Sequence, residues 1–250
     1  MFEQCLWQAD RMLLNNHVFR LQHYLNADWE LGDQCFVFYK IKSLIDEYQR
    51  LFHSNPNFTV NHLLELGLWE GGSAAFWFEC LKPQKLVGVD IAIRDNSAYF
   101  NQYLEQNHLT ERLKLYWGVS QDDKAKLREL VEHEFNNSLD LVIDDASHLY
   151  QPTKASFEIL FPLLRPGGLY IIEDWAWGHW RKFQLPGSEW SRAAELTNLV
   201  FELVQAVGTS RQLFRQVTIF PGFVVIERGD AVLPTQVPLV LQDHIYRRDA

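Results

Sequence analysis

Leu139-Asp140-Leu141-Val142-Ile143-Asp144-Asp145-Ala146-Ser147-His148 runs from an apolar stretch directly into two acids and a histidine. An amphipathic run follows from Thr153 to Leu164. Arg165-Pro166-Gly167-Gly168 then turns the chain into a second apolar run, Leu169-Tyr170-Ile171-Ile172, which also ends on acids, Glu173-Asp174. A short apolar run, a helix and another short apolar run describe a βαβ unit with two parallel neighbouring strands. Parallel neighbours end at one edge of the sheet, where open α/β sheets bind their ligands. Asp145, Glu173 and Asp174 are therefore expected to converge. Three hard oxygen donors suit Mg²⁺ or Mn²⁺, and His148 is placed to face the same cavity as a general base. The plainer reading makes these acids solvated loop carboxylates or helix caps. Two acidic pairs closing adjacent strands, with a histidine beside them, favour a site.

Upstream, a strand over Thr59–Leu66 leads into Leu64-Glu65-Leu66-Gly67-Leu68-Trp69-Glu70-Gly71-Gly72-Ser73 and a helix over Ala74–Leu81. Glycines allow a sharp strand-to-helix turn and close approach of a ligand. The spacing is G-x-x-x-G-G, not the G-x-G-x-x-G of dinucleotide folds. The next strand, Lys85–Val89, closes on Asp90, whose carboxylate either accepts both ribose hydroxyls or caps its own loop. A helix over Ser97–His108 and a strand over Leu113–Trp117 follow, then Ser120-Gln121-Asp122-Asp123 and a helix to about Glu134. Ser120, Gln121 and Asp122 either start that helix or touch an adenine, and both readings stay open.

Downstream, a helix over Trp190–Ala206 precedes strands Leu213–Ile219 and Phe223–Arg228, joined by Phe220-Pro221-Gly222 as an antiparallel hairpin. Five β/α units and a hairpin make an α/β, Rossmann-like fold: a mostly parallel seven-stranded sheet with an antiparallel C-terminal edge. Before it, Leu6–Asn26 and Val37–Phe52 are read as helices, the second because Phe38, Ile41, Ile45, Tyr48 and Phe52 recur at steps of three and four. Residues 1–58 thus form an expected helical extension, for packing or as a lid or dimerisation element. Residues 59–228 form the core, and 229–250 a tail left open between an extended arm and disorder.

A chain of 250 residues holds one or at most two domains. A net charge of −9 argues against a general nucleic-acid surface. Cys5, Cys35 and Cys80 lack CxxC spacing and read as reduced thiols of a cytoplasmic protein. Neither a signal peptide nor a membrane span is expected.

Glu65-Leu66-Gly67-Leu68-Trp69-Glu70-Gly71-Gly72-Ser73 with Asp90 resembles the S-adenosylmethionine-binding half of class I methyltransferases. Ile143-Asp144-Asp145-Ala146-Ser147-His148, with Leu164 to Asp174, is similar to the metal-dependent sugar O-methyltransferases of macrolide biosynthesis and to the cephalosporin-hydroxylase-like group. The resemblance covers roughly residues 59 to 228. It implies donor binding by Glu65, Gly67, Gly71, Ser73, Asp90, Ser120, Gln121, Asp122 and Asp144. It further implies Mg²⁺ on Asp145, Glu173 and Asp174, and His148 as base with Asp145 beside it. Ala146 departs from the glycine usual in that block. The implied reaction is methylation of a hydroxyl on a small natural product of sugar or polyketide type, with Trp175, Trp177, His179, Trp180 and Trp190 as candidate pocket walls. Two other readings stay open: a nicotinamide-dependent oxidoreductase, and a catalytically silent donor-binding module of a biosynthetic assembly. Whether the protein pairs with a copy of itself or with a biosynthetic partner is also open.

Overall fold

The computed structural model describes residues 2–21, 34–188, 190–234 and 237–246. Seven strands form the main sheet: β5 (His62–Leu66), β6 (Lys85–Asp90), β7 (Leu113–Trp117), β8 (Leu139–Asp144), β9 (Leu164–Glu173), β10 (Phe214–Ile219) and β11 (Phe223–Arg228). Their spatial order is β10-β11-β9-β8-β5-β6-β7. Strands β9, β8, β5, β6 and β7 run parallel; β11 is antiparallel to β9, and β10 to β11. The chain proceeds outward from β5 through β6 to β7, then returns to the other side of β5 for β8 and β9. That reversal between β5 and β8 is the switch point at which such sheets open a crevice. Helices α2 (Gly72–Leu81), α3 (Ala98–Gln106), α4 (Lys124–Phe135), α5 (Tyr150–Leu160) and α6 (Thr197–Thr209) complete the expected β/α alternation.

Arg165-Pro166-Gly167-Gly168 is not a free turn but lies within β9. The register against β8 shifts between the Leu139–Leu164 and Leu141–Leu169 pairs, so these residues form a bulge that absorbs the proline. The helix expected from Trp190 begins at Thr197, and Trp190 instead stacks on Phe183 at 5.0 Å. The tail is neither arm nor disorder over its described part: Leu239 N donates to Glu158 O, and Leu241 is buried.

The N-terminal expectation is corrected. Leu6–Leu21 is no helix but three strands, β1 (Leu6–Trp7), β2 (Arg11–Leu14) and β3 (His17–Leu21), joined by β4 (Phe36–Phe38) in a second, four-stranded sheet. Residues 22–26 of that expectation lie outside the described residues. The cause is Asn15-Asn16. Both have positive φ, 49° and 67°, so with Leu14 paired to His17 they close a two-residue hairpin of the kind asparagine favours. Helix α1 (Lys42–Ser54) starts later than expected, because Phe36-Val37-Phe38 pairs in parallel with β3. Helix α1 buries Ile45, Tyr48 and Phe52 of the expected stripe, with Leu51 beside them, whereas Ile41 precedes the helix and is exposed. Among the described residues no helix is long and apolar enough to cross a membrane.

Candidate active site

Alternation of side chains along a strand decides which acids meet. Leu63 of β5, Leu141 and Ile143 of β8, and Leu169 and Ile171 of β9 all pack on the sheet face covered by the N-terminal segment. One further step of two along each strand gives Glu65, Asp145 and Glu173, on that same face at the carboxyl edge. The intervening residues, Leu64, Leu66, Val142, Tyr170 and Ile172, pack on the opposite face. Asp144 and Asp145, adjacent in sequence, therefore belong to different environments.

On the first face the acids surround a lysine. Lys40, between β4 and α1, is 4% exposed. Its Nζ donates to Asp145 Oδ2 and Glu173 Oε1, both at 2.7 Å, and lies 5.8 Å from the centroid of the Trp77 ring. Tyr48 OH of α1 donates to the same Glu173 oxygen at 2.6 Å. Glu65 Oε1 accepts from Trp77 Nε1 at 3.0 Å, and its Oε2 is buried with no hydrogen-bond partner among the described residues. Burial alone would depress the Lys40 ammonium, yet Asp145, Glu173 and Glu65 hold it well above the ordinary lysine range. Burial pushes the Glu65 carboxyl up to about 8, against the pull of Lys40. Glu173 rises to about 7 through burial and the neighbouring Asp145 charge, and Asp174 is raised chiefly by burial. The pocket holds more carboxyl groups than one ammonium can keep charged.

The loop after β8 is held from both sides. Asp145 N donates to Leu66 O at 2.8 Å, and a Cβ on Gly67 would stand 2.1 Å from Asp145 O, so only glycine admits this contact. The Gly-rich loop and the Asp145 loop are thus in backbone contact. His148 has φ 55°, an uncommon conformation for a residue with a side chain, and its carbonyl accepts from Trp177 Nε1 at 2.6 Å. His148 Nε2 lies 3.9 Å from Asp145 Oδ1. Asp174, also with positive φ, is fixed by its own N–H to Gly222 O at 2.9 Å.

The remaining expected residues divide. Asp144 is enclosed: its carboxylate accepts from Gln121 Nε2, Ser156 Oγ and Tyr170 OH at 3.0, 2.7 and 2.9 Å, and burial lifts it to about 6. Gln121 uses its other end, Oε1, to accept from Ser147 N at 2.8 Å. Asp144 and Gln121 thus tie down the Asp145–His148 loop from the far face of the sheet. Asp90 accepts from Leu68 N, Trp69 N and Ala92 N, which folds the Gly-rich loop back toward β6. Gly71 takes a left-handed conformation as the N-cap of α2, and Ser73 stands in the first turn of α2. Ser120 Oγ donates to Asp122 Oδ1 at 2.5 Å, while Asp123 caps α4. Trp177 is buried at 2% exposure. It belongs to the core rather than to a pocket wall.

Lys40, Tyr48 and Trp77 are not legible in the sequence as site residues. Glu65 is readable as part of the acid cluster from strand parity alone. The expected metal can be tested against this geometry. Asp145 and Glu173 do converge, but on the Lys40 ammonium, and among the described residues no three acids, histidines or cysteines are gathered as an ion would require. As folded, the residues do not fit a divalent cation.

Residues 64–175 match the methyltransferase domain family. The chain is 31% identical over 144 residues to mycinamicin VI 2''-O-methyltransferase of Micromonospora griseorubida, and 32% identical over 143 residues to demethylmacrocin O-methyltransferase of Streptomyces fradiae. Each match covers 54% of this chain and 32% of the relative, so the chain spans about a third of the length of these relatives. Among solved structures, it is similar to MycE, a methyltransferase from the mycinamycin biosynthetic pathway in complex with Mg, SAH and mycinamycin VI. The identity is 26% and the TM-score 0.56, covering 77% of this chain and 51% of that one.

Proposed function

We propose that residues 64–175, which match the methyltransferase domain family, are a class I methyltransferase domain of the mycinamicin type, and that the protein transfers a methyl group from S-adenosylmethionine to a hydroxyl of a sugar or polyketide natural product. One observation carries the reading: the Gly67 loop and the Asp145–His148 loop touch backbone to backbone at the switch point of the sheet. A donor held by the first loop is thereby adjacent to the base on the second. Residues 59–228 are the proposed catalytic unit, with the described residues before them covering one face of the sheet and the described residues after them docking on the other.

The chemistry follows from the charges. The donor is a sulfonium, and carboxyl groups that Lys40 alone does not keep charged, Glu65 and Asp174 among them, can ionise beside a bound cation. An acceptor hydroxyl attacks the methyl carbon in line; the new O–C bond forms as the C–S bond breaks, and the electron pair returns to sulfur. His148 takes the hydroxyl proton. The left-handed backbone at His148, fixed by Trp177, presents the ring beside Asp145, whose carboxylate favours the imidazolium that forms. The relative's complex contains Mg, and an ion of that kind supplies Lewis-acid polarisation of an oxygen wherever it is bound. On this chain Asp145 and Glu173 are engaged by Lys40.

Calorimetry with S-adenosylmethionine and with NAD separates the methyltransferase from the oxidoreductase reading, since only the former should bind. Mass spectrometry of glycosylated polyketides incubated with the donor should then reveal one added methyl. Donor binding without transfer to any hydroxyl acceptor would leave a silent binding module instead.

A further inference from the structure

The residues assigned by sequence to a divalent ion are, in the structure, the hydrogen-bond acceptors of a lysine. Lys40 is not a surface side chain that has swung inward. Its side chain is 3% exposed, and its Nζ stands 2.7 Å from a carboxylate oxygen at the carboxyl end of each of two adjacent strands. The backbone that delivers it is locked in place. The Val37 carbonyl crosses α2 at Gly72, where a Cβ would lie 1.8 Å from that oxygen. Two turns into α1, Tyr48 clamps the same Glu173 oxygen. Lys40 also comes from outside the segment that matches the methyltransferase domain family.

A buried ammonium between two carboxylates relieves their mutual repulsion, which is the electrostatic task of a bridging divalent ion. The two occupants conflict. A magnesium-type ion binds oxygen at about 2.1 Å, so an ion on Asp145 Oδ2 and Glu173 Oε1 would stand within a few ångströms of the ammonium that those oxygens already hold. Moved to the second oxygen of each carboxylate, it would still face that positive charge beside a lysine and a glutamate that are both buried, where repulsion is weakly screened. We propose that Lys40 is the resident cation of the Asp145–Glu173 pair, and that a divalent ion reaches these carboxylates only by displacing its ammonium. The inference concerns the same site as the proposed methyl transfer but is read without turnover, so either can fail alone.

Manganese binding to the full-length protein, followed by calorimetry and by the paramagnetic signal of the free ion, with neither donor nor acceptor present, tests it. Lys40→Met and Lys40→Gln, each verified as folded by circular dichroism, should bind one Mn²⁺ at least about tenfold more tightly than the unaltered protein, because removing a cation beside a divalent charge lifts a repulsion larger than that factor requires. In the unaltered protein, amine acylation mapped by mass spectrometry should leave Lys40 unlabelled without metal and label it as Mn²⁺ saturates. Equal or weaker Mn²⁺ binding by the folded variants would overturn the proposal. So would saturation of the unaltered protein with Lys40 still protected, or no Mn²⁺ binding by any of the three.

Discussion

Glu65 carries a proton that the unfolded chain would lose. Its side chain is fully buried, with one oxygen on Trp77 Nε1 and the other without a hydrogen-bond partner among the described residues, and burial raises its carboxyl from the usual glutamate range to about 8. Between about pH 5 and about pH 8 the folded protein therefore binds a proton that the unfolded chain has released, and stability falls as pH rises through that window. Glu65→Gln removes the titration. The melting temperature of the variant should hold up relative to the unaltered protein as pH increases, by the equivalent of a few kcal/mol, since each pH unit of that window is worth about 1.4 kcal/mol. Parallel pH profiles for the two proteins would show the buried carboxyl to be ionised throughout. His148 is a catalytic question rather than a stability one. His148→Ala should leave S-adenosylmethionine affinity near normal and lower turnover by about 10²–10⁴-fold, the usual worth of a general base. Full turnover in the variant would move the base elsewhere.

The loop between β8 and α5 depends on residues that are remote in sequence. Gln121 holds Ser147 N and Asp144 together from the start of α4, and Trp177 holds the His148 carbonyl from beyond β9. Trp177→Phe keeps an aromatic ring in the core but leaves that carbonyl without its donor, an expected loss of about 1–3 kcal/mol. Because His148 keeps its left-handed backbone only while the loop is held, kcat should fall while the KM for the donor stays nearly constant. An unchanged kcat accompanied by the full stability loss would mean that Trp177 acts in packing alone. The core elements themselves are legible. Strands Leu113–Trp117 and Phe223–Arg228 read to the residue, and β8 to within one, because apolar runs bounded by glycines and acids have few other solutions. The N-terminal hairpin misreads as a helix although Met12 and Leu14, both buried, already stand two apart as on a strand; the deciding signal, two consecutive asparagines, is a turn signature rather than a periodicity. Lys40 gives no local signal. Its partners lie 105 and 133 residues away, a distance that only tertiary packing closes.

At the level of the whole molecule, the main sheet separates two apolar layers with different duties. One layer, with Phe19, Phe38, Phe76 and Tyr48, joins the N-terminal sheet and α1 to the face that carries Glu65, Asp145 and Glu173. The other, with Phe157, Phe161 and Phe214, seats α4, α5, α6 and the tail on the opposite face. Phe38 lies 4.8 Å from Phe76 and 5.6 Å from Phe19, and it stands two residues before Lys40. Phe214 lies 5.1 Å from Phe161 and is equally buried. Phe38→Ala and Phe214→Ala should each cost about 3–5 kcal/mol in denaturant unfolding, the usual range for emptying a buried phenylalanine site. Only the first loosens the segment that carries the ammonium. Under native conditions Phe38→Ala should therefore speed acylation of Lys40 well above the rate in the unaltered protein, whereas Phe214→Ala should leave that rate close to unchanged despite an equal loss of global stability. Equal acceleration in both variants would mean that Lys40 is exposed by opening of the whole fold, and that the sheet does not partition the protein into one layer that builds the site and another that only supports it.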